Sequence, residues 1–204
     1  MDAMEEFEKL DEECEIYLDM QDDPESKPED FYEAFKNMCL RHNDKSMIPY
    51  SVFCSMIEDC VSCEEYYMQM LMDVYSTHVI GEDFLDVLQQ LIDDGYCDEY
   101  QKKTHEMIKD HVKDGYVIAY RGEFAAKGHN NLPYTESVSY SLDYQHAEFF
   151  ATRFKMLGLT RSVVYTVKVP VEDVLAYIER ENEVVCLPIS RGGKMTVIKE
   201  ESKL

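Results

Sequence analysis

The chain has no tryptophan, only 8 glycines and 6 prolines in 204 residues, and fewer than half as many basic as acidic side chains. The aliphatic and aromatic content is ordinary for a globular protein, with many Tyr, Phe and Met in place of Trp. No apolar run approaches the 18 or more residues that a membrane-spanning helix needs. The opening residues, Met1-Asp2-Ala3-Met4-Glu5-Glu6, are acidic where a secretory signal is basic. Export by that route is not expected, and a cytoplasmic location is. Seven cysteines (14, 39, 54, 60, 63, 97 and 186) are odd in number and unevenly spaced, which suits reduced thiols and not a disulfide framework. Cys60-Val61-Ser62-Cys63, with Cys54 nearby, supplies half of a zinc set. No second pair follows at zinc spacing, so helix-core thiols and no metal are expected.

What the chain has in excess is negative charge: 42 acidic against 20 basic side chains, a net of −22. Residues 1–114 hold 31 acidic and 9 basic side chains, hence −22, and residues 115–204 hold 11 of each. Such asymmetry bears on partners and solubility and not on fold. It argues against direct nucleic-acid binding by the first half, because phosphate contacts need Lys and Arg.

Apolar spacing divides the chain in the same place. Residues 1–27 read as an acidic arm with a helical stripe (Phe7, Leu10, Cys14, Tyr17, Leu18) fading into a linker around Pro24 and Pro28. Ser26, Pro28 and Glu29 then predict a helix start, with Phe31, Phe35, Met38 and Cys39 on its buried side, ending by Arg41-His42-Asn43-Asp44. Ser51 to Tyr75 is rich in Met, Tyr and Cys at helical spacing, the pattern of a pliable core. Phe84, Val87, Leu88, Leu91 and Ile92 mark one face of a helix stopped at Gly95. A further helix over about 98–112 ends at Asp114-Gly115.

From Gly115 the period changes from helical to alternating. Tyr116–Tyr120 predicts a strand delivering Arg121-Gly122, followed by a long loop through Lys127–Pro133. Ser137–Ser141 predicts a second strand. Asp143 caps a helix with Ala147, Phe150, Ala151 and Phe154 inward, stopped at Gly158. Ser162–Val169 is a β-branched run, Val174–Tyr177 a short piece, and Lys194–Lys199 a last strand. The expectation is α+β: a helical cluster (28–114) followed by a mostly antiparallel β core (115–204), with 28–204 as one domain the alternative.

Before that last strand stands Arg180-Glu181-Asn182-Glu183, opening the apolar run Val184–Leu187. On an extended backbone, residues two apart point the same way, so Glu181 and Glu183 are expected side by side at a strand's leading edge. Three elements in order, Tyr120-Arg121-Gly122, Ser139-Tyr140-Ser141 with its capped helix, and Glu181-Asn182-Glu183, together resemble the Arg–Ser–Glu class of mono-ADP-ribosyltransferases. The likeness covers roughly residues 115–200. It is nearest to small phage-encoded enzymes of the T-even kind, then to the catalytic chains of clostridial binary toxins.

The resemblance implies a β core of the ADP-ribosyltransferase type and transfer of ADP-ribose from NAD to an arginine of a target protein. NAD is the substrate, no metal or membrane is involved, and a phage or effector protein in a host cytosol is implied. Breaking the nicotinamide–ribose bond gives an oxocarbenium-like transition state, which a fixed carboxylate stabilises. By the family's pattern Glu183 holds a ribose hydroxyl, and Glu181 receives the acceptor guanidinium and helps remove its proton. Arg121 is assigned to the pyrophosphate side of NAD. Gly122 is assigned to close backbone approach to the carboxamide, and Ser139 to a hydrogen bond with the catalytic glutamate. Ser141 belongs to the same cofactor-binding motif, and Tyr140, Phe149 or Phe150 is expected to stack on nicotinamide. Glu179 reads as a solvated loop residue. Tyr140 stands where the family often has a small residue, and the loops 155–161 and 176–180 are short. The alternatives are an NAD glycohydrolase, with water replacing arginine, and a non-catalytic acidic mimic of nucleic acid that blocks a basic protein.

Overall fold

The computed structural model describes residues 3–22, 25–42, 50–59, 64–77, 81–126, 129–130 and 133–204. Cys60, Cys63, Pro24, Asn43-Asp44 and most of the loop 127–132 lie outside them. The chain forms two units, Met1–Asp98 and Glu99–Leu204. The first holds 27 acidic and 5 basic side chains, net −22, and the second 15 of each. Among the described residues no helix is long and apolar enough to cross a membrane.

The first unit consists of helices α1 (Ala3–Asp22), α2 (Pro28–Arg41), α3 (Tyr50–Asp59), α4 (Tyr67–Thr77) and α5 (Glu82–Asp93). The acidic arm expected over 1–27 contributes α1 to this unit. The α1 stripe is used in packing: Leu10 and Tyr17 are buried, and the Tyr17 ring meets Phe31 edge-on at 6.0 Å. Glu13 takes Arg41 at 2.9 Å and His42 at 3.2 Å. In α2, Phe31, Phe35, Met38 and Cys39 are buried, as their spacing predicts. Its cap is Lys27, whose N–H donates to Asp30 Oδ2 at 3.0 Å, and not Ser26 with Glu29, because Pro28 opens the helix. Met68, Met70, Leu71, Met72 and Val74 are buried in α4.

In the second unit, α6 (Asp98–Met107) leads into β1 (Val112–Lys113) and β2 (Tyr116–Ala126). The predicted helix over 98–112 is shorter by a turn. Asp114 and Gly115, both at positive φ (52° and 80°), form a hairpin turn between β1 and β2 instead of a helix stop. Asp-Gly is among the pairs best suited to such a turn. The boundary expected at 114/115 therefore moves to 98/99, because α6 is tied to the sheet. Gln101 Nε2 donates to the carbonyls of Glu172 (2.7 Å) and Val174 (3.1 Å), and Thr104 Oγ1 to that of Leu175 (3.5 Å).

The remaining elements are β3 (His129–Asn130), β4 (Ser139–Ser141), α7 (Tyr144–Thr152), β5 (Leu159–Pro170), β6 (Val174–Ile178), β7 (Glu183–Cys186) and β8 (Thr196–Ser202). The sheet order is β6-β7-β4-β2-β5-β8, with β1 and β3 also on β2, every pairing antiparallel. The fold is α+β, helices first. One face of the sheet buries Val117, Ala119, Tyr140, Val167, Val184 and Cys186 with Ile108. The other meets α7 through Ala147, Ala151 and Val164. Whereas β2 and β5 pair along their whole length, β2 and β4 share only Tyr120 with Ser141. The sheet parts at that pair, and α7, which follows β4, lies over the parting.

Candidate functional site

A pocket of about 130 Å³ opens there, lined by Arg121 and Gly122 from β2, Ser139 and Ser141 from β4, and Glu183 from β7; Tyr120, and from α7 His146, Ala147 and Phe150 with Arg153 beyond, complete it. Sites that enclose a whole drug-sized ligand run to roughly 300–1,000 Å³. This one has room for a ring-sized group.

Register places the polar groups. Ser141 stands opposite Glu183, and Ser139 is two residues along the same strand and so on the same face. Diagonal neighbours of this kind are within side-chain reach, and Ser139 Oγ donates to Glu183 Oε2 at 2.7 Å. Glu183 is only 8% exposed. A buried carboxylate needs such donors, since unpaired it would carry a large desolvation cost. Arg121 Nη1 donates to the Ser139 carbonyl at 3.3 Å, tying β2 to β4 beside the carboxylate. Ser141 Oγ accepts the Asp143 N–H at 3.0 Å, and Asp143 Oδ1 caps α7 by accepting the Gln145 N–H at 2.8 Å. The Ser-x-Ser strand thus fixes both the carboxylate and the start of the helix.

Gly122 has a role in packing before any role in ligand approach. A Cβ there would lie 2.0 Å from the Ala147 carbonyl oxygen and 2.7 Å from the Ala151 nitrogen, so only glycine lets α7 sit this close to β2. Ser162 Oγ, 2.8 Å from the Ala151 carbonyl, holds the far end of α7.

Four expectations are corrected. Arg121-Gly122 lies in the middle of β2, not at a strand end. Tyr140 is fully buried in the core, its hydroxyl donating to the Tyr134 carbonyl, because strand alternation turns it away from the face of Ser139 and Ser141. Phe149 is 58% exposed and does not line the pocket, which leaves Phe150, of the three rings expected to stack, as the one on it. Glu181 and Glu183 are also not side by side on a strand. Glu179–Glu181 form a 3-10 turn, Asn182 takes the left-handed conformation (φ 48°), and β7 begins at Glu183. Asn is one of the few residues that visits that region readily, and its side chain is held by Tyr177 Oη at 3.0 Å. Glu181 does not line the pocket; its Oε1 takes Arg180 Nη2 at 2.5 Å.

His146 and Arg153 were missed by motif reading. They had a signal: His146, Phe150 and Arg153 are at i, i+4 and i+7, one stripe of α7 beside the buried Ala147 and Ala151. The Arg153 guanidinium lies 4.7 Å from the centre of the Phe150 ring and 4.8 Å from that of Phe154. Burial, and then the Arg121 charge, press its pKa below the usual arginine range, though a guanidinium stays charged. Two cations and one carboxylate on one pocket wall favour an anionic ligand.

Among the described residues, Cys97 and Cys186 do not offer a rival nucleophile. Burial pushes Cys97 up to about 12, and holds Cys186, beside Asp173 and Glu183, well above the usual thiol range. Reactive cysteines are those with depressed values. Among the described residues no group of three or more His, Cys, Asp or Glu could hold a metal. Comparison with protein-family models, curated proteins and solved structures returns no match.

Proposed function

We propose that the second unit is an NAD-dependent mono-ADP-ribosyltransferase acting on arginine, with a core of the ADP-ribosyltransferase type. The observation that carries this reading is the Ser139–Glu183 hydrogen bond in a pocket that also presents Arg121 and Arg153. The carboxylate is positioned before any ligand arrives, so it needs no reorganisation as positive charge develops on a ribose. Arg121 and Arg153 suit a pyrophosphate, since forked guanidinium donors match phosphate oxygens. Phe150 and Tyr120 line the pocket and offer aromatic rings to a nicotinamide-sized group. Glu181, one turn upstream of Glu183, is the carboxylate assigned to the incoming guanidinium.

Purified protein incubated with NAD and agmatine, a small guanidine, tests the reading through released nicotinamide and ADP-ribosylated guanidine. Glu183→Gln should lower both by on the order of 10²–10³, as for loss of one transition-state contact. Glu181→Gln should remove transfer and leave NAD hydrolysis. Wild-type rates in both variants would refute the assigned site. Hydrolysis in the wild type with no modified guanidine would make the protein an NAD glycohydrolase.

A further inference from the structure

A second pocket, of about 140 Å³, lies within the first unit, where α3, α4 and α5 meet the turn after α5. Part of its lining is apolar, with Ile57, Val87 and Leu91 all buried. Part is aromatic: the Tyr67 and Tyr96 rings stand 5.0 Å apart at 77° and form a corner. Its remaining described lining, Gln90 and Asp94, is exposed and brings a carboxylate but no basic group. Glu64 sets a second negative charge near the same corner. Its charge first, then burial and the charge of Asp94, push the Tyr96 phenol up. An apolar cavity of roughly 150 Å³ takes a benzene ring, so this pocket has room for a planar group of that size. The unit around it carries 27 acidic against 5 basic side chains, a field that repels anions and gathers cations. An ammonium is strongly hydrated and gains little from apolar walls. A guanidinium is planar and weakly hydrated, stacks on aromatic rings, and pairs with a carboxylate through a fork of N–H groups.

We propose that this pocket binds an arginine side chain of a basic protein partner, seated against Tyr67 and Tyr96 and paired with Asp94. The walls, the carboxylate and the surrounding charge each favour that group over a lysine, an anion or a neutral ring. The site is separate from the pocket of Glu183 and needs neither NAD nor catalysis, so the inference stands apart from the transferase reading. Under that reading the partner is the target protein, and the arginine held here anchors it and is not the one modified.

Full-length protein with isotope-labelled tyrosine rings is titrated, without NAD, with a glycine–arginine repeat peptide, and separately with the glycine–lysine repeat of equal length. Ring signals of Tyr67 and Tyr96 are assigned from their Phe variants, and affinity is read by calorimetry. The arginine peptide should move both ring signals saturably, and the lysine peptide should bind more weakly and leave them in place. N-acetylarginine amide should move the same two signals at higher concentration, because it carries the guanidinium without the peptide's repeated charge. Asp94→Asn should weaken the arginine peptide about two- to fivefold, as for loss of an exposed ion pair. Glu183→Gln should bind it as the wild type does. Equal affinity for the two peptides, or unchanged affinity in Asp94→Asn, would mean that the acidic field acts alone and would overturn the proposal. So would ring signals that stay in place, or loss of binding in Glu183→Gln, which would seat the arginine in the other pocket. None of these outcomes bears on NAD turnover.

Discussion

On β2, one residue past Gly122, the Glu123 carboxylate is 3% exposed. It accepts the Tyr134 N–H and pairs with Arg161 Nη2 at 3.3 Å. Burial raises its pKa; the Tyr134 N–H, Arg161 and Arg121 oppose the rise, and Glu200 adds to it. The folded protein therefore holds this proton more tightly than the unfolded chain. Its contribution to stability is fully present below the unfolded value of about 4.3, and is lost as pH rises through the raised folded value. Glu123→Gln keeps an acceptor for Tyr134 and removes the titration. The variant's melting temperature relative to wild type should thus be higher at pH 7 than at pH 4, and an equal or reversed difference would refute the assignment. Arg121 and Arg153 give a second test at this scale. Replacing either with Lys keeps the charge and loses the fork, and should raise KM for NAD roughly five- to tenfold, about 1 kcal/mol of charge-assisted contact. An unchanged KM would return that arginine to a packing role. Ser139 and Glu183 were legible in the sequence because their motifs fix a register. Tyr140 was misplaced although the same two-residue period, applied to Ser139-Tyr140-Ser141, separates it from its neighbours. Glu181 was misplaced for the opposite reason. That period was applied where Asn182, a residue tolerant of positive φ, lets the chain leave the extended region.

Elements were more legible than the joints between them. The faces of α2 and α5 follow their apolar spacing, with Ile92 alone only partly buried, since each helix needs only one stripe to find a core. The strand expected over Tyr116–Tyr120 is six residues shorter than β2, because Arg121, Gly122 and Glu123 look like a strand's end when their partners are unknown. In the fold, Arg121 and Glu123 each find a partner across strands, and Gly122 is where α7 presses in. That contact predicts a large effect from a small change. In Gly122→Ala the added methyl meets backbone atoms of Ala147 and Ala151, which no rotamer change can move. Overpacking of this kind costs about 1–3 kcal/mol, readable as a lower denaturant midpoint. The displaced helix should also carry His146, Phe150 and Arg153 off the pocket wall and raise KM for NAD. A variant with wild-type midpoint and KM would mean that α7 shifts freely and does not set the site.

Across the whole molecule, charge and chemistry are divided between the units. All of the −22 belongs to Met1–Asp98, and the pocket to the neutral Glu99–Leu204. The division was legible from composition, but its boundary was not, because α6 is tied to β6 by side chains of Gln101 and Thr104 that no periodicity reveals. A non-catalytic acidic mimic would need the charged unit alone, and would leave Ser139, Glu183, Arg121 and Arg153 on one pocket without a use. The charge has a use in transfer if the arginine-bearing acceptor is basic, since a net field raises the encounter rate without touching the reaction step. Removing α1 is no test, because Leu10 and Tyr17 are core. Glu8, Glu12, Glu15 and Asp19 are exposed on that helix and can be neutralised together as Gln, Gln, Gln and Asn. With an arginine-rich basic polypeptide as acceptor, this variant should transfer severalfold more slowly at low salt. The gap should close as ionic strength brings the Debye length to about 8 Å. With agmatine, whose single charge is steered weakly, its rate should match wild type at every salt concentration. Equal rates on the polypeptide at low salt would leave the acidic surface a solubility device, whereas an equal slowing on agmatine would place the lesion in the site or the fold and not in the encounter.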